Sequence, residues 1–196
     1  MTLAELQQEV YTLTNRPALI AETLTAVRSA TLKLHQLDYF YRDLFETGVV
    51  FNSSAYLQQI DYYSLVPRYR ALKYIRKTDS TGQEQGTFFD VIPPETVLDQ
   101  YYTNREDVCY VAGRYIQLRS STEVQYVLWG MYLNPDISVA TFDSWIAVQH
   151  PYAIVFEAAA IVFKAIGDTE QFAAYTQLAA QQAAEVKLSN IVAQGY

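Results

Sequence analysis

The chain opens with apolar residues at helical spacing. Thr2 and Glu5 form a capping-box sequence, and Leu3, Leu6, Val10 and Leu13 recur on one face behind it. This pattern predicts a helix over residues 2–14. After a break at Asn15 and Pro17, a second apolar stripe predicts a helix over residues 17–38, and two helices joined so closely are expected to form an antiparallel hairpin.

The spacing of apolar residues changes in the middle of the chain. Short segments rich in aromatic and branched residues alternate there with turn formers, which is typical of strands. The predicted strands are residues 43–51, 56–62, 69–77, 88–92, 108–112, 115–120 and 124–133. The polar run 78–86 is predicted to be the loop of a hairpin between two of them.

Helical spacing returns towards the end. Residues 151–166 are apolar almost all round between Pro151 and Gly167, so we expect a central helix, and an alanine-rich helix follows from Asp168. The predicted fold is α+β: a helical bundle formed by the N- and C-terminal helical hairpins, with an inserted β-rich lobe. It forms one domain made of residues 1–42, 43–135 and 142–196, and we expect residues 45–135 alone to be unstable.

The composition restricts the function. The net charge is −7, so the chain lacks the overall basic field with which nucleic-acid binders neutralise phosphates. The single Cys109 lies in an apolar run and is predicted to be a small buried residue. The first residues lack the basic and apolar pattern of a secretion signal, and the longest apolar stretch is too short to span a membrane. Tyrosine is abundant, with 17 residues, and suits protein interfaces.

Catalytic and metal-binding motifs are missing from the sequence. His35 and His150 have no partner at a metal-ligand spacing, and the glycines form neither a phosphate-binding loop nor a nucleophile elbow. We therefore predict no catalytic residues, no metal and no cofactor, and structural roles for both histidines. Glu157 lies in a nearly apolar helix and is expected to pair with Arg28 or Lys33.

Two segments are candidate partner interfaces. The first is a basic and aromatic run, in which alternation would place Arg68, Arg70 and Arg76 on one strand face and Lys73 and Lys77 on the other. The residues proposed from it are Arg68, Tyr69, Arg70, Lys73, Tyr74, Arg76 and Lys77. Such a run could bind single-stranded nucleic acid, but the acidic chain favours a polar strand face or a contact between subunits. The second candidate is the C-terminal end, with Ile191, Val192 and Tyr196, which either frays or anchors the chain on a partner.

The first third of the chain resembles a known family. Residues 3–17 (LAELQQEVYTLTNRP) and 21–43 (AETLTAVRSATLKLHQLDYFYRD) are similar to the start of head-to-tail adaptor proteins, also called connector or neck proteins, of short-tailed double-stranded DNA phages. Beyond residue 60 the resemblance is one of architecture only.

This resemblance implies a non-enzymatic virion protein of the neck and tail, assembled in the host cytoplasm. Adaptors of this kind form a ring, commonly of twelve copies, that docks on the portal protein and offers a platform to tail nozzle or tail fibre proteins. DNA would pass through the channel without specific binding, and no membrane would be involved. The alternatives are a tail-associated cell-wall hydrolase and a monomeric protein-binding module that uses the surface around Tyr69 and Tyr74.

Overall fold

A computed structural model describes residues 1–78, 84–98 and 104–193, and it divides the chain into two compact units. The first unit combines residues 1–43 with the chain from Asn134 onward. The second unit is Leu44–Leu133. Each unit contains its own cluster of buried apolar side chains.

The first unit is helical. Its helices are α1 (Leu3–Thr14), α2 (Ile20–His35), α4 (Trp145–Gln149), α5 (Pro151–Ile166) and α6 (Thr169–Ala193), with a 3-10 turn at Tyr41–Asp43. The capping box predicted at the start of α1 is confirmed, because Thr2 and Glu5 each accept the other's backbone N–H. Gly167 ends α5 in the left-handed conformation that glycine adopts without strain.

Helix α5 forms the centre of this unit, as its apolar sequence predicts. Helices α1 and α2, from the N-terminal part of the chain, pack against α5, and so does α6 from the C-terminal part. Leu6, Val27 and Ile154 are fully buried in one shared cluster. Burial of such side chains is the main favourable contribution to folding.

The second unit is one sheet of six strands. The strands are β1 (Leu44–Asp61), β2 (Tyr69–Thr78), β3 (Glu84–Phe88), β4 (Asp90–Val91), β5 (Val108–Ala112) and β6 (Tyr115–Leu133), with the short helix α3 (Tyr62–Leu65) after β1 and a 3-10 turn at Pro94–Thr96. The order is β3-β2-β6-β5-β4, and β1 pairs with the other edge of β6.

The two longest strands each replace two predicted ones. β1 has 18 residues and β6 has 19, although turn formers occur within both. In β1 the polar residues after Phe51 produce a shift of register between Val50 and Ala55, and pairing with β6 then resumes. An irregularity of this kind bends a strand without ending it.

The segment from β3 to β4 nearly closes the sheet into a barrel. β3 pairs antiparallel with β2, and the backbone N–H of Phe89 then donates to the carbonyl of Ile75 in β2 at 2.9 Å. Directly afterwards, β4 runs parallel to β5, where Asp90 pairs with Val108. One segment thus joins the edges of β2 and β5, so the sheet is mixed and barrel-like.

The expected helical bundle with an inserted lobe is therefore wrong, although the chain is α+β. The β strands form a nearly closed mixed sheet with a core of its own, in which Ile75, Ile116 and Trp129 are fully buried. Sequence spacing predicted the strands singly and gave no sign that the segment from β3 to β4 joins two edges. Closure depends on hydrogen bonds between residues far apart in the chain.

Candidate assembly surface

The predicted basic run lies on β2, where it meets an acid from β1. Arg76 donates from Nη2 to both carboxylate oxygens of Glu46 at 3.0 Å, and the Tyr74 hydroxyl donates to the same carboxylate. Register explains the contact, because Tyr74 and Glu46 both pair with Gly130 of β6. A Cβ on Gly130 would lie 2.5 Å from the Tyr74 ring, so glycine lets that ring lie across the strand.

Lys77 is buried in spite of its charge. Its side chain is bonded to Asp107, and the ammonium lies 5.4 Å from the ring centre of Phe89. Asp107 also accepts the backbone N–H of Ser121 at 3.0 Å and its hydroxyl at 2.7 Å. Burial alone would raise the pKa of Asp107, but the bonds from Lys77 and Ser121 outweigh it and lower that pKa from 3.8 to about 2.

The remaining residues of the run are placed differently from the prediction. A shift of register between Leu72 and Tyr74 separates Lys73 from Lys77, so Lys73 is exposed whereas Lys77 is buried. Arg68 is exposed, Arg70 is half-buried, and Tyr69 stacks on Tyr62 and on Trp129. The run therefore does not form the two basic faces that strict alternation predicts.

The C-terminal candidate is more ordered than its composition suggests. Helix α6 continues to Ala193, and the buried Asn190 accepts the backbone N–H of Tyr41 at 3.2 Å. Ile191 is exposed beside it. The side chain of Val192 and the whole of Tyr196 lie outside the described residues, as do residues 79–83 of the predicted hairpin loop.

An aromatic cluster that the sequence did not indicate lies at one end of the sheet. The guanidinium of Arg114 lies 5.7 Å from the ring centre of Tyr63 and 5.4 Å from that of Tyr115. It also donates to Asp61 and, at 2.8 Å, to the hydroxyl of Ser64. Tyrosine and arginine side chains that are already held in one geometry are typical of binding hot spots, because they lose little conformational entropy when a partner binds.

Large apolar side chains are exposed along β1. They are Leu44, Phe45, Val50, Tyr56 and Leu57. Alternation of apolar and polar residues along β1 could have indicated a half-buried strand. It could not show that these apolar side chains stay exposed to solvent in the folded chain. These side chains are candidate contact residues on both faces of β1, because neighbours on a strand such as Leu44 and Phe45 point to opposite sides.

A second feature that the sequence did not indicate is a chain of buried hydrogen bonds in the helical unit. His35 Nδ1 lies 2.9 Å from Asp43 Oδ1, and His35 Nε2 lies 2.9 Å from Ser144 Oγ. Trp145 donates from Nε1 to the same oxygen of Asp43 at 2.8 Å. The order serine, histidine, aspartate is that of a catalytic triad.

The surroundings of this chain favour a structural role. His35 is only 2% exposed, and Ser144 is buried as well. The hydroxyl of Ser144 also accepts the backbone N–H of Ala147, and so caps helix α4. The three side chains thereby hold the end of α2, the turn at Asp43 and the start of α4 together.

Two smaller predictions are confirmed. Glu157 pairs with Lys33, one of the two expected partners, on the neighbouring helix α2. Cys109 is fully buried, and burial raises the pKa of its thiol to about 12, so it remains a neutral thiol. His150 follows α4 and lies near the ring of Trp145.

Within residues 1–78, 84–98 and 104–193, no three acidic, histidine or cysteine side chains are grouped so that they could hold a metal ion. None of the helices described there is long and apolar enough to cross a bilayer. No protein-family model matches the chain, and no curated protein is detectably similar to it in sequence.

Proposed function

We propose that this protein is a structural subunit of a phage virion, which forms a ring between the portal and the tail. The observation that carries the proposal is the row of exposed apolar side chains on β1, with Val50 66% and Leu57 61% exposed. Leaving such side chains in water is unfavourable, and contact with a neighbouring subunit would remove them from it. A contact that repeats head to tail closes into a ring when the rotation allows.

The cluster around Arg114 supports a second contact, with a portal or tail protein. Tyr63 is exposed while the guanidinium holds its ring in place, so a partner would meet a surface that is already ordered. Arg68, exposed just before β2, and Lys73, exposed on β2, would add positive charge to such a contact. Complementary charge raises the rate of association more than it raises the affinity.

In this proposal DNA passes through the ring without being held by it. The net charge of −7 opposes phosphate binding. The basic side chains of Arg76 and Lys77, which the sequence offered as phosphate contacts, are engaged by Glu46 and Asp107. An acidic channel wall would repel DNA weakly and let it slide.

The proposed role is not enzymatic, and the Ser144 chain gives a direct test. If Ser144 only caps α4 and fixes His35, Ser144→Ala should lower stability by about 1–2 kcal/mol and leave ring assembly intact. Assembly is read by electron microscopy, and stability by urea unfolding. A hydrolytic activity on cell-wall material that disappears in Ser144→Ala, with stability unchanged, would contradict the proposal.

The ring itself is tested by co-expression with the portal protein of the same proposed virion. We expect purified portal particles to carry a ring of this protein, visible by electron microscopy. Leu57→Ser should weaken the ring, whereas Ile20→Ser, at a side chain equally exposed on α2, should not. The adaptor role would be contradicted if the protein did not associate with portal particles at any ratio of the two proteins.

A further inference from the structure

The outer edge of β1 exposes a defined set of backbone hydrogen-bonding groups. The carbonyl of Ile75 in β2 accepts the N–H of Phe89, so it points away from β6. Successive residues of a strand direct their N–H and C=O groups to opposite sides, so those of Arg76 point towards β6. Arg76 pairs with Leu128, which therefore faces β2. Directions alternate along a strand, so Val127 and Trp129 of β6 face β1.

The same alternation gives the directions on β1. Val127 pairs with Val49 and Trp129 pairs with Thr47, so the backbone groups of Thr47 and Val49 are used within the sheet. Those of Glu46, Gly48 and Val50 point outward, and these three residues are exposed. Among the described residues, no strand pairs with this side of β1.

This edge lacks the usual protection against strand addition. Soluble proteins commonly blunt an open edge with lysine, proline or a charge that points inward. Leu44–Phe51 contains neither lysine nor proline. Its one charge, on Glu46, is held by Arg76. An outward row of N–H and C=O groups at two-residue spacing fits another extended strand.

We propose that two copies of this chain pair through β1, antiparallel, with the two-fold axis at Gly48. The outward groups of Gly48 then bond to Gly48 of the second copy, and those of Glu46 bond to Val50. On the other strand face Thr47 lies opposite Val49, a pair of β-branched side chains that favours a sheet. No charge meets a like charge, because the residue opposite Glu46 is the apolar Val50.

A two-fold contact closes after two copies, so this pairing belongs to the free subunit and goes beyond the proposed ring. It covers the β1 edge and its exposed apolar side chains before assembly. A free subunit that stays monomeric would leave the ring proposal standing, and a ring that fails to form would leave this pairing standing.

The test is sedimentation of the full chain over a concentration series, with two variants of Val50. Val50→Glu places a carboxylate opposite Glu46 at both ends of the contact, and should raise the dissociation constant of the dimer about tenfold. Val50→Thr keeps a β-branched side chain without a charge there, and should leave the constant nearly unchanged. Both substitutions replace an exposed side chain, and circular dichroism checks that each variant folds.

Amide hydrogen exchange provides a second measurement. Exchange at Gly48 and Val50 should slow as the concentration rises, whereas Thr47 and Val49 should be protected at every concentration. Two results would overturn the pairing: a monomer throughout, up to about 100 μM, or equal weakening by Val50→Glu and Val50→Thr.

Discussion

At the scale of single residues, Gly130 and Tyr74 show how one position depends on another across a strand. The Tyr74 ring lies over Gly130 and its hydroxyl donates to Glu46, one strand further on. Any side chain at position 130 must displace the ring, and the bond to Glu46 would be lost with it. An aromatic side chain that covers a glycine on a neighbouring strand also compensates for the packing that glycine lacks.

We therefore expect Gly130→Ala to destabilise the protein by about 1–2 kcal/mol, measured by urea unfolding. Gly48→Ala is the matched control, because a Cβ there meets its nearest atoms at 3.9 Å, an ordinary contact. It should change stability far less. In the Tyr74→Ala background the cost of Gly130→Ala should largely disappear, since the two substitutions remove one interaction. Equal effects at both glycines would contradict the role given to the ring.

Asp107 makes stability depend on pH. Its pKa is about 2 in the folded chain and 3.8 ordinarily, because the bonds from Lys77 and Ser121 outweigh the opposing effect of burial. A carboxylate with a lowered pKa stabilises the folded state above the ordinary value, and this contribution is lost as the pH falls towards 2. Asp107 also has a φ of 53°, a backbone conformation that asparagine tolerates well.

Between about pH 4 and pH 2, the free energy of unfolding should fall more in the wild type than in Asp107→Asn. The expected difference is on the order of 1–2 kcal/mol. Urea titrations at several pH values measure it, and asparagine keeps the backbone conformation comparable. Identical pH profiles for the two proteins would show that the pair with Lys77 contributes nothing to stability.

At the scale of elements, a hydrogen bond joins the last turn of α6 to the 3-10 turn at Tyr41–Asp43. Asn190 is buried and accepts the N–H of Tyr41, so the end of the helix satisfies a backbone donor of the 3-10 turn. The sequence analysis left open whether this end frays or anchors the chain on a partner, and an end that frays can be removed with little effect on folding. The structure gives the opposite expectation for any deletion that removes Asn190.

Asn190→Ala should lower the midpoint of thermal unfolding, at a cost of about 1–2 kcal/mol for the donor left without its acceptor. Leu188→Ala is the control on the same helix, because Leu188 is exposed and its loss leaves no cavity. Differential scanning calorimetry compares the two. A larger effect at Leu188 than at Asn190 would indicate that the end of α6 is held by a different contact.

At the scale of the whole molecule, the two compact units each bury a separate apolar cluster. A unit whose core is internal can fold without the rest of the chain. The β strands do not need the helices to cover Trp129 or Ile116, since the barrel-like sheet encloses them. This differs from the sequence-based expectation that the middle segment is unstable alone.

Residues 44–133 expressed alone should therefore be soluble and unfold in a single cooperative transition. Circular dichroism during urea unfolding measures this, and the full chain treated in the same way is the reference. A shorter fragment that ends before β6 provides the control, because β6 pairs with β1, β2 and β5. An unfolded 44–133 fragment would restore the earlier expectation.

The sequence by itself determined features whose causes lie within a few residues. The capping box at Thr2, the helix between Pro151 and Gly167, and the strand Val108–Ala112 follow from local residue preferences. Burial of Cys109 followed from the apolar run around it, and the pair between Lys33 and Glu157 from the cost of an isolated buried charge.

Only the tertiary structure decided which distant residues meet. The continuity of β1 and β6, the closure through Phe89 and Ile75, and the contact between Glu46 and Arg76 all depend on strand register. The chain from Asp43 through His35 to Ser144 joins three segments in the same way. Local preferences are the same in many registers, and the observed register is favoured because it buries the apolar side chains of the sheet's core, such as Ile75, Ile116 and Trp129.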